Sequence, residues 1–310
     1  MRIIGAQHFG GPEVLAVFEA ADPLPGPQEV RIRLRAAAVN PTDTTFRAGE
    51  QPLGELGPPY VPGMDAAGII EEIGEGSRWH KGEAVMAIAL PRGKHGGAYA
   101  ERLVAPDDSI ARIPANINLV TASTLPMNGL TALQIIEKLD LQPEQTLAVT
   151  GAAGILGNYV VHLAKHQGLT VIADAADKDL ELVKSFGVDY VVERGDDVAK
   201  RIRELFPDGV DALVDAAVLN EKAVAAVRDG GGFATVRRWM GEPGRNIAVH
   251  LINVYEEYRS HEKLDRLRQY VEEGILFPRV TDIYPAEKAA EAHRRIESGG
   301  VRGRLVLEFP

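Results

Sequence analysis

The stretch from 146 to 174, TLAVTGAAGILGNYVVHLAKHQGLTVIAD, leaves the fewest folds open to this 310-residue chain. Thr146 to Thr150 read as a short buried strand. Gly151, Gly154 and Gly157 then punctuate a turn, and Leu156, Val160, Leu163 and Ala164 recur at helical spacing. A second apolar run, Thr170 to Ala173, completes a strand, helix and strand unit. A glycine turn that opens a helix lets backbone N–H groups come close to a pyrophosphate, and the helix N-terminus adds partial positive charge. The stretch therefore reads as a dinucleotide site in outline. Its spacing is G-x-x-G-x-x-G rather than G-x-G-x-x-G, and loops also collect glycine for turn geometry alone. The reading thus rests on the flanking strands and helix as much as on the glycines.

From about residue 118 helix and strand alternate. Strands are expected near 146–150, 170–173, 189–192, 210–215, 232–236 and 246–251, with helical patterns such as DLELVKSF and VAKRIRELF between most of them. This alternation predicts an α/β arrangement, a parallel sheet covered by helices on both faces. Residues 1 to 115 have a different texture. Val30, Ile32 and Leu34 alternate with Arg31, Arg33 and Arg35, the period of a half-buried strand. Ala66 to Ile73 and Ala84 to Leu90 read as further strands, separated by Pro- and Gly-rich turns such as LGPPYVPG. The tail holds a helix near 261–273, another from Ala286 to Glu297, and a closing strand in RGRLVLEF. With 45% apolar residues the chain can bury a large core, and its length suggests two domains.

Composition removes several function classes. A formal net charge of -10 disfavours nucleic acid and anionic membrane surfaces, which need clustered Lys and Arg. The absence of cysteine excludes disulfides, Cys-ligated zinc and a thiol nucleophile. MRIIGAQHFGG is too short in apolar residues for a secretory signal, and no later run reaches membrane-spanning length, so a cytoplasmic protein is expected.

Five further motifs stand in a fixed order: VNPTDTTFRAG at 39–49, PGMDAAGIIEEIGEG at 62–76, KGEAVMAI at 81–88, GGAYAERLVAP at 96–106 and LPMNGLTA at 125–132. Together with the glycine turn and the closing helix and strand, this order resembles the medium-chain dehydrogenase/reductase family, and in particular its zinc-free quinone oxidoreductase branch, which includes zeta-crystallin. The resemblance covers almost the whole chain. It implies a doubly wound Rossmann nucleotide-binding domain at 118–254, inserted in a β-rich GroES-like catalytic domain made of 1–117 and 255–310.

Departures from the family pattern carry information too. Zinc-dependent relatives have a Cys where this chain has Asn40, a His where it has Met64, and a third ligand near Met127. Asn is a poor zinc ligand and a thioether is soft and uncharged, so no catalytic zinc is expected. His162 and His166 lie four apart on the helix after the glycine turn; lacking an adjacent Glu or a third ligand, they read as ordinary helix residues. Many members read AAGGVG where this chain has AAGILG, so Ile155 takes a position that is often glycine.

The resemblance places the cofactor on Gly151, Ala152, Ala153, Gly154, Ile155, Leu156 and Gly157, with Val236 and Arg237 on the nicotinamide side. A carboxylate on the ribose 2′-OH selects NAD, whereas cations accept the 2′-phosphate of NADP. Asp174 falls one position before the usual NAD-selecting acid, where Ala175 stands. Lys178 and Arg194 stand near positions that meet the 2′-phosphate and the adenosine in relatives, which favours NADPH; the alternative is that both are solvated surface charges. Near the nicotinamide the resemblance points to Asn40, Asp43 and Thr131. Asn40 and Thr131 are expected to bind the substrate oxygen or the carboxamide, and Asp43 either joins them or only fixes the NPTD turn. Many relatives carry Tyr where this chain has Thr45, which leaves the proton donor open.

The implied activity is NADPH-dependent, zinc-free reduction of quinones or α,β-unsaturated carbonyls. Alternatives are zinc-free alcohol or aldehyde oxidoreduction, and a non-catalytic NADPH-binding protein of the crystallin kind. A homodimer is expected through NIAVHLI at 246–252, an apolar edge strand that relatives use for pairing.

Overall fold

The computed structural model describes residues 1–51 and 57–310, so Leu56 of the LGPPYVPG turn lies outside the described residues. The chain divides into two units, one of Met1–Met127, Tyr255–Gly274 and Pro278–Pro310, the other of Asn128–Val254 and Ile275–Phe277. The first unit continues past the change of texture at 118 because the short helix Leu119–Ala122 packs on strands Glu29–Val39, Asp65–Ile73 and Ala84–Ile88.

Strand Glu29–Val39 is the spine of the first unit. Its first half buries Val30, Ile32 and Leu34 while Arg33 and Arg35 face solvent, and its last four residues, Ala36 to Val39, are buried throughout. Small side chains permit that change, because both faces of the strand's end are covered. The sheet runs in the order Val280–Pro285, Arg304–Glu308, Glu29–Val39, Asp65–Ile73, Ala84–Ile88 and Ile110–Arg112, with Arg102–Pro106 also paired to the spine. Only the first two of these strands pair in parallel. In the antiparallel register between spine and neighbour, Ala38 faces Asp65. Asn40 therefore leaves the sheet beside that carboxylate and opens the helix Pro41–Ala48, which ends at Gly49 with φ +81°.

The second unit is a parallel sheet of six strands among the described residues, in the order Tyr190–Glu193, Thr170–Ala175, Thr146–Thr150, Val210–Asp215, Val227–Thr235 and Ala248–Leu251. The chain builds outward from Thr146–Thr150 on one side, then crosses back to Val210–Asp215 on the other. That reversal opens a crevice at the carboxyl ends of the two central strands. Thr150 and Asp215 close its floor with a 2.7 Å hydrogen bond from the hydroxyl to the carboxylate. Strand Val227–Thr235 starts well before the expected 232 because RDGGG, its polar and glycine-rich first half, hides the strand from an apolar pattern. The expected strand at Ala84 to Leu90 stops at Ile88, where Ala89 donates instead to the Met64 carbonyl. Among the described residues no helix is long and apolar enough to cross a membrane.

The glycine turn is held by contact as well as conformation. Gly151 has φ +70°, in the left-handed region. A Cβ on Gly157 would lie 2.4 Å from the Gly151 carbonyl oxygen, whereas one on Gly154 would lie 3.2 Å from it. Gly157→Ala should cost about 1–3 kcal/mol through overpacking and lower the thermal midpoint more than Gly154→Ala does. Equal midpoints for the two variants, measured by thermal shift, would refute that ranking.

Candidate active site

In the second unit the glycine turn runs directly into the helix Ile155–His166. The first N–H groups of a helix have no carbonyl one turn back, so those of Ile155, Leu156 and Gly157 are available to an anion. Ala152 and Ala153 are small and buried, and Ile155 is only 2% exposed, so its side chain packs inward. The residues present therefore fit a dinucleotide pyrophosphate. Asp174, at the end of strand Thr170–Ala175, is buried, and its Oδ1 accepts the Ala152 N–H at 3.1 Å. Burial raises its pKa, while the N–H groups of Ala152 and Gly151 and the charge of Arg194 pull it down. This carboxylate braces the turn. Lys178 is exposed on the turn Asp177–Asp179, and exposed Arg194 donates its backbone N–H to the Ala175 carbonyl at 2.9 Å. Both cations thus stand just beyond the second strand. Val236 is half-buried and Arg237 exposed, where the chain leaves strand Val227–Thr235.

In the first unit the expected residues Asn40 and Asp43 meet three that sequence reasoning missed: Asp65, Tyr99 and His293. Asn40 lies between two carboxylates. Its backbone N–H donates to Asp43 Oδ2 at 2.8 Å and its Nδ2 to Asp65 Oδ2 at 2.7 Å. Asp65 Oδ1 accepts the Met127 N–H at 2.6 Å. The Tyr99 hydroxyl donates to Asp43 Oδ2 at 3.3 Å and lies 3.0 Å from His293 Nε2. On the far side of that imidazole, Arg47 Nη1 is 3.3 Å from Nδ1, and Arg47 Nη2 pairs with Glu297 at 2.7 Å. A guanidinium only donates, so Nδ1 accepts and Nε2 carries the proton given to Tyr99. One hydrogen-bonded chain thus leads from half-exposed Glu297 to the buried Asp43, Asn40 and Asp65.

Burial dominates the electrostatics of this chain. It pushes Asp43 up to about 7, aided by the charge of Asp65 and opposed by the Asn40 N–H. It pushes Asp65 up to about 6 against the donors Met127 and Asn40. Burial and the charge of Arg47 push His293 down to about 3, so the imidazole is neutral. Among the described residues Asp43 Oδ1 has no hydrogen-bond partner, so nothing at that oxygen offsets the burial that raises its pKa.

The remaining expected residues fall elsewhere. Thr131 is buried on the helix Pro126–Leu139, in the second unit. Thr45 donates its hydroxyl proton to the Thr42 carbonyl at 2.9 Å. His162 lies between the rings of Phe186 and Phe277, at 5.5 and 5.2 Å, a packing role. Asp65 was detectable as the lone acid at the head of an apolar strand. His293 was not, because it occupies an unremarkable position in an amphipathic helix.

Known proteins resemble this chain in sequence and in fold. An alcohol dehydrogenase GroES-like domain matches residues 26–115 and a zinc-binding dehydrogenase matches residues 186–307. The NADPH-dependent alkenal/one oxidoreductase, chloroplastic, of Arabidopsis thaliana is 30% identical over 96% of this chain and 77% of its own length. The quinone oxidoreductase of Mus musculus is 30% identical over 99% of this chain and 97% of its own. A crystal structure of an NAD-dependent alcohol dehydrogenase superposes with a TM-score of 0.87 at 30% identity, covering 100% of both chains.

A raised carboxyl pKa has a definite consequence for stability. Between the ordinary value of 3.8 and about 7 the folded chain holds a proton on Asp43 that the unfolded chain has lost. Stability is therefore greatest below that window and falls as pH rises through it, by about 1.4 kcal/mol for each tenfold difference in proton affinity. Asp43→Asn keeps the acceptor for Asn40 and removes the titration. Its thermal midpoint should vary less between pH 4 and 7 (roughly the window just defined) than that of the unmodified protein, whatever constant offset the amide introduces. Parallel curves for the two proteins would refute the assignment.

Proposed function

Because this chain belongs to the medium-chain dehydrogenase/reductase family, in its quinone oxidoreductase branch, we propose that it is an NADPH-dependent oxidoreductase that reduces quinones or α,β-unsaturated carbonyls without zinc. The observation that carries the reading is Asn40. At the position where zinc-dependent relatives have a Cys, its amide Nδ2 donates to Asp65 at 2.7 Å, a donor role that a zinc-ligating thiolate could not fill. Met64 and Met127 offer only thioethers at the other two positions. Without a Lewis acid, a simple carbonyl is hard to reduce, whereas quinones and enones delocalise the incoming charge across a conjugated system. The bound cofactor supplies the hydride.

The roles follow from this reading. Residues 118–254 form the NADP-binding domain and 1–117 with 255–310 the catalytic domain. The turn from Gly151 to Gly157 holds the pyrophosphate, Lys178 and Arg194 take the 2′-phosphate, and Val236 and Arg237 line the nicotinamide side. Asn40 and Thr131 hydrogen-bond the substrate oxygen or the carboxamide. Asp43 fixes the turn at Asn40 and keeps its position. Asp174 is buried against the glycine turn, with its Oδ1 accepting the Ala152 N–H, while Lys178 and Arg194 are exposed, which supports NADPH over NADH. The NADPH dependence stated for the Arabidopsis relative agrees; the NAD dependence of the structural neighbour makes the comparison worth measuring.

A homodimer through strand Ala248–Leu251 belongs to the same reading. This strand ends the sheet, and Val249 and Leu251 are 40% and 46% exposed beside its open edge. Light scattering at micromolar concentration should return twice the chain mass; a monomer would count against pairing.

The activity is tested by following NADPH and NADH oxidation with a panel of quinones, enones and simple aldehydes. Quinones or enones with NADPH should react fastest. Lys178→Ala and Arg194→Ala should each raise the KM for NADPH roughly tenfold or more, from loss of a charge-assisted bond worth about 1.5–3 kcal/mol, with little change for NADH. Preference for NADH with aldehydes alone would favour alcohol or aldehyde oxidoreduction instead.

A further inference from the structure

The helix Pro41–Ala48 lacks the tyrosine that many relatives have at position 45, and Thr45 is an unsuitable substitute. An aliphatic alcohol is a far weaker acid than a phenol, and here its hydroxyl donates to the Thr42 carbonyl at 2.9 Å while its oxygen accepts from Gln51 Nε2 at 2.8 Å. Gln51 Nε2 also donates to the Thr42 carbonyl at 2.7 Å, so both amide protons are used and the amide plane is set. Onto its Oε1 comes the phenol of Tyr255, donating at 2.9 Å from a distant part of the sequence. Arg92 covers the same ring, its guanidinium carbon 4.3 Å from the centroid. Tyr255, Gln51, Thr45 and Arg92 all belong to the first unit, on the flank of the helix that begins at Asn40.

We propose that Tyr255 is the proton donor of the reduction, delivering from the segment Val254–Glu257 the phenol that position 45 does not provide. The proposal rests on the reductase reading above. An enone that accepts a hydride at its β-carbon holds the displaced C=C electron pair as an enolate. The O–H bond of Tyr255 breaks, the proton goes to the enolate, and the bonding pair remains on the phenol oxygen as a phenolate beside Arg92. A proton from water then restores the phenol. Burial raises the pKa of Tyr255 and the charge of Arg92 lowers it, so the group is protonated before the step and has a cation beside it afterwards. Quinones make a different demand. Their reduction leaves an anionic oxygen, which takes a proton from water readily, whereas protonating the carbon of an enolate needs a positioned acid.

That difference supplies the test. With but-3-en-2-one as acceptor, Tyr255→Phe should lower kcat roughly a hundredfold, the low end for loss of a general acid. The KM for NADPH and the turnover of 1,4-benzoquinone should change far less, and the solvent deuterium isotope effect on enone turnover should change with the loss of the donor. A second readout needs neither cofactor nor acceptor. The ultraviolet tyrosinate titration of the protein minus that of Tyr255→Phe isolates the ionisation of Tyr255, and Arg92→Gln should shift that difference to higher pH. Unchanged enone turnover in Tyr255→Phe, equal losses with both acceptors, or a titration indifferent to Arg92 would each overturn the assignment while leaving the reductase reading intact. Failure of the unmodified protein to reduce either acceptor would overturn both.

Discussion

Two buried carboxyl groups, Asp65 at the head of a sheet strand and Asp43 on the helix Pro41–Ala48, set the conditions for the first unit. Burying an ionised group without partners is so unfavourable that the surroundings must either supply donors or let it keep its proton. Here both happen. Asp65 draws in the Met127 N–H and the Asn40 amide; Asp43 takes the Asn40 N–H and the Tyr99 hydroxyl. Asn40 belongs to both sets, so the end of the spine strand, the start of the helix Pro41–Ala48 and the start of the helix Pro126–Leu139 are fixed relative to one side chain. Removing Asn40 would orphan an acceptor on Asp65 rather than merely vacate a surface, which is why such a residue belongs to the architecture as much as to the chemistry.

The second unit solves a related problem in the same way. Asp174 and Asp215 are buried at the ends of the two strands that flank Thr146–Thr150, and each is satisfied by groups at the mouth of the sheet: Ala152 for the first, Thr150 and Asn220 for the second. Carboxylates positioned there brace the glycine turn from below and leave the first N–H groups of the helix Ile155–His166 for an anionic guest. The turn is closely packed, because Gly157 allows the helix to rest against the Gly151 carbonyl with no room for a methyl group.

Taken together, the two units place the emphasis of the proposed chemistry on orientation and proton supply rather than on a metal. The network from Glu297 through Arg47, His293 and Tyr99 keeps a neutral imidazole and a phenol locked in one tautomeric arrangement, with Asp43 at its buried end. Tyr255 is a different kind of phenol. It is half-buried, has a guanidinium over its ring and donates to Gln51, whereas Tyr99 is fully buried between Asp43 and His293. Two tyrosines in one unit thus divide structural and chemical duties according to exposure.

What the sequence determined by itself is the type and order of the elements. Period-two alternation at Val30 to Arg35, the strand, glycine turn and helix of 146–166, and the alternation that follows are local patterns, and the short-range forces that write them also decide strand and helix. Asn40, Asp43 and Thr131 were marked in a different way, by the family resemblance of VNPTDTTFRAG and LPMNGLTA. Tertiary structure decided what those residues touch. That Asp174 braces Ala152 instead of facing outward depends on strand register and on how deeply the strand end is buried. His293 and Tyr255 reach Tyr99 and Gln51 across 194 and 204 positions of sequence. No local signal records such meetings, because they are fixed by sheet order and packing: the strand Arg304–Glu308 lies beside the spine, and the helix Ala289–Glu297 that precedes it carries His293 onto Tyr99.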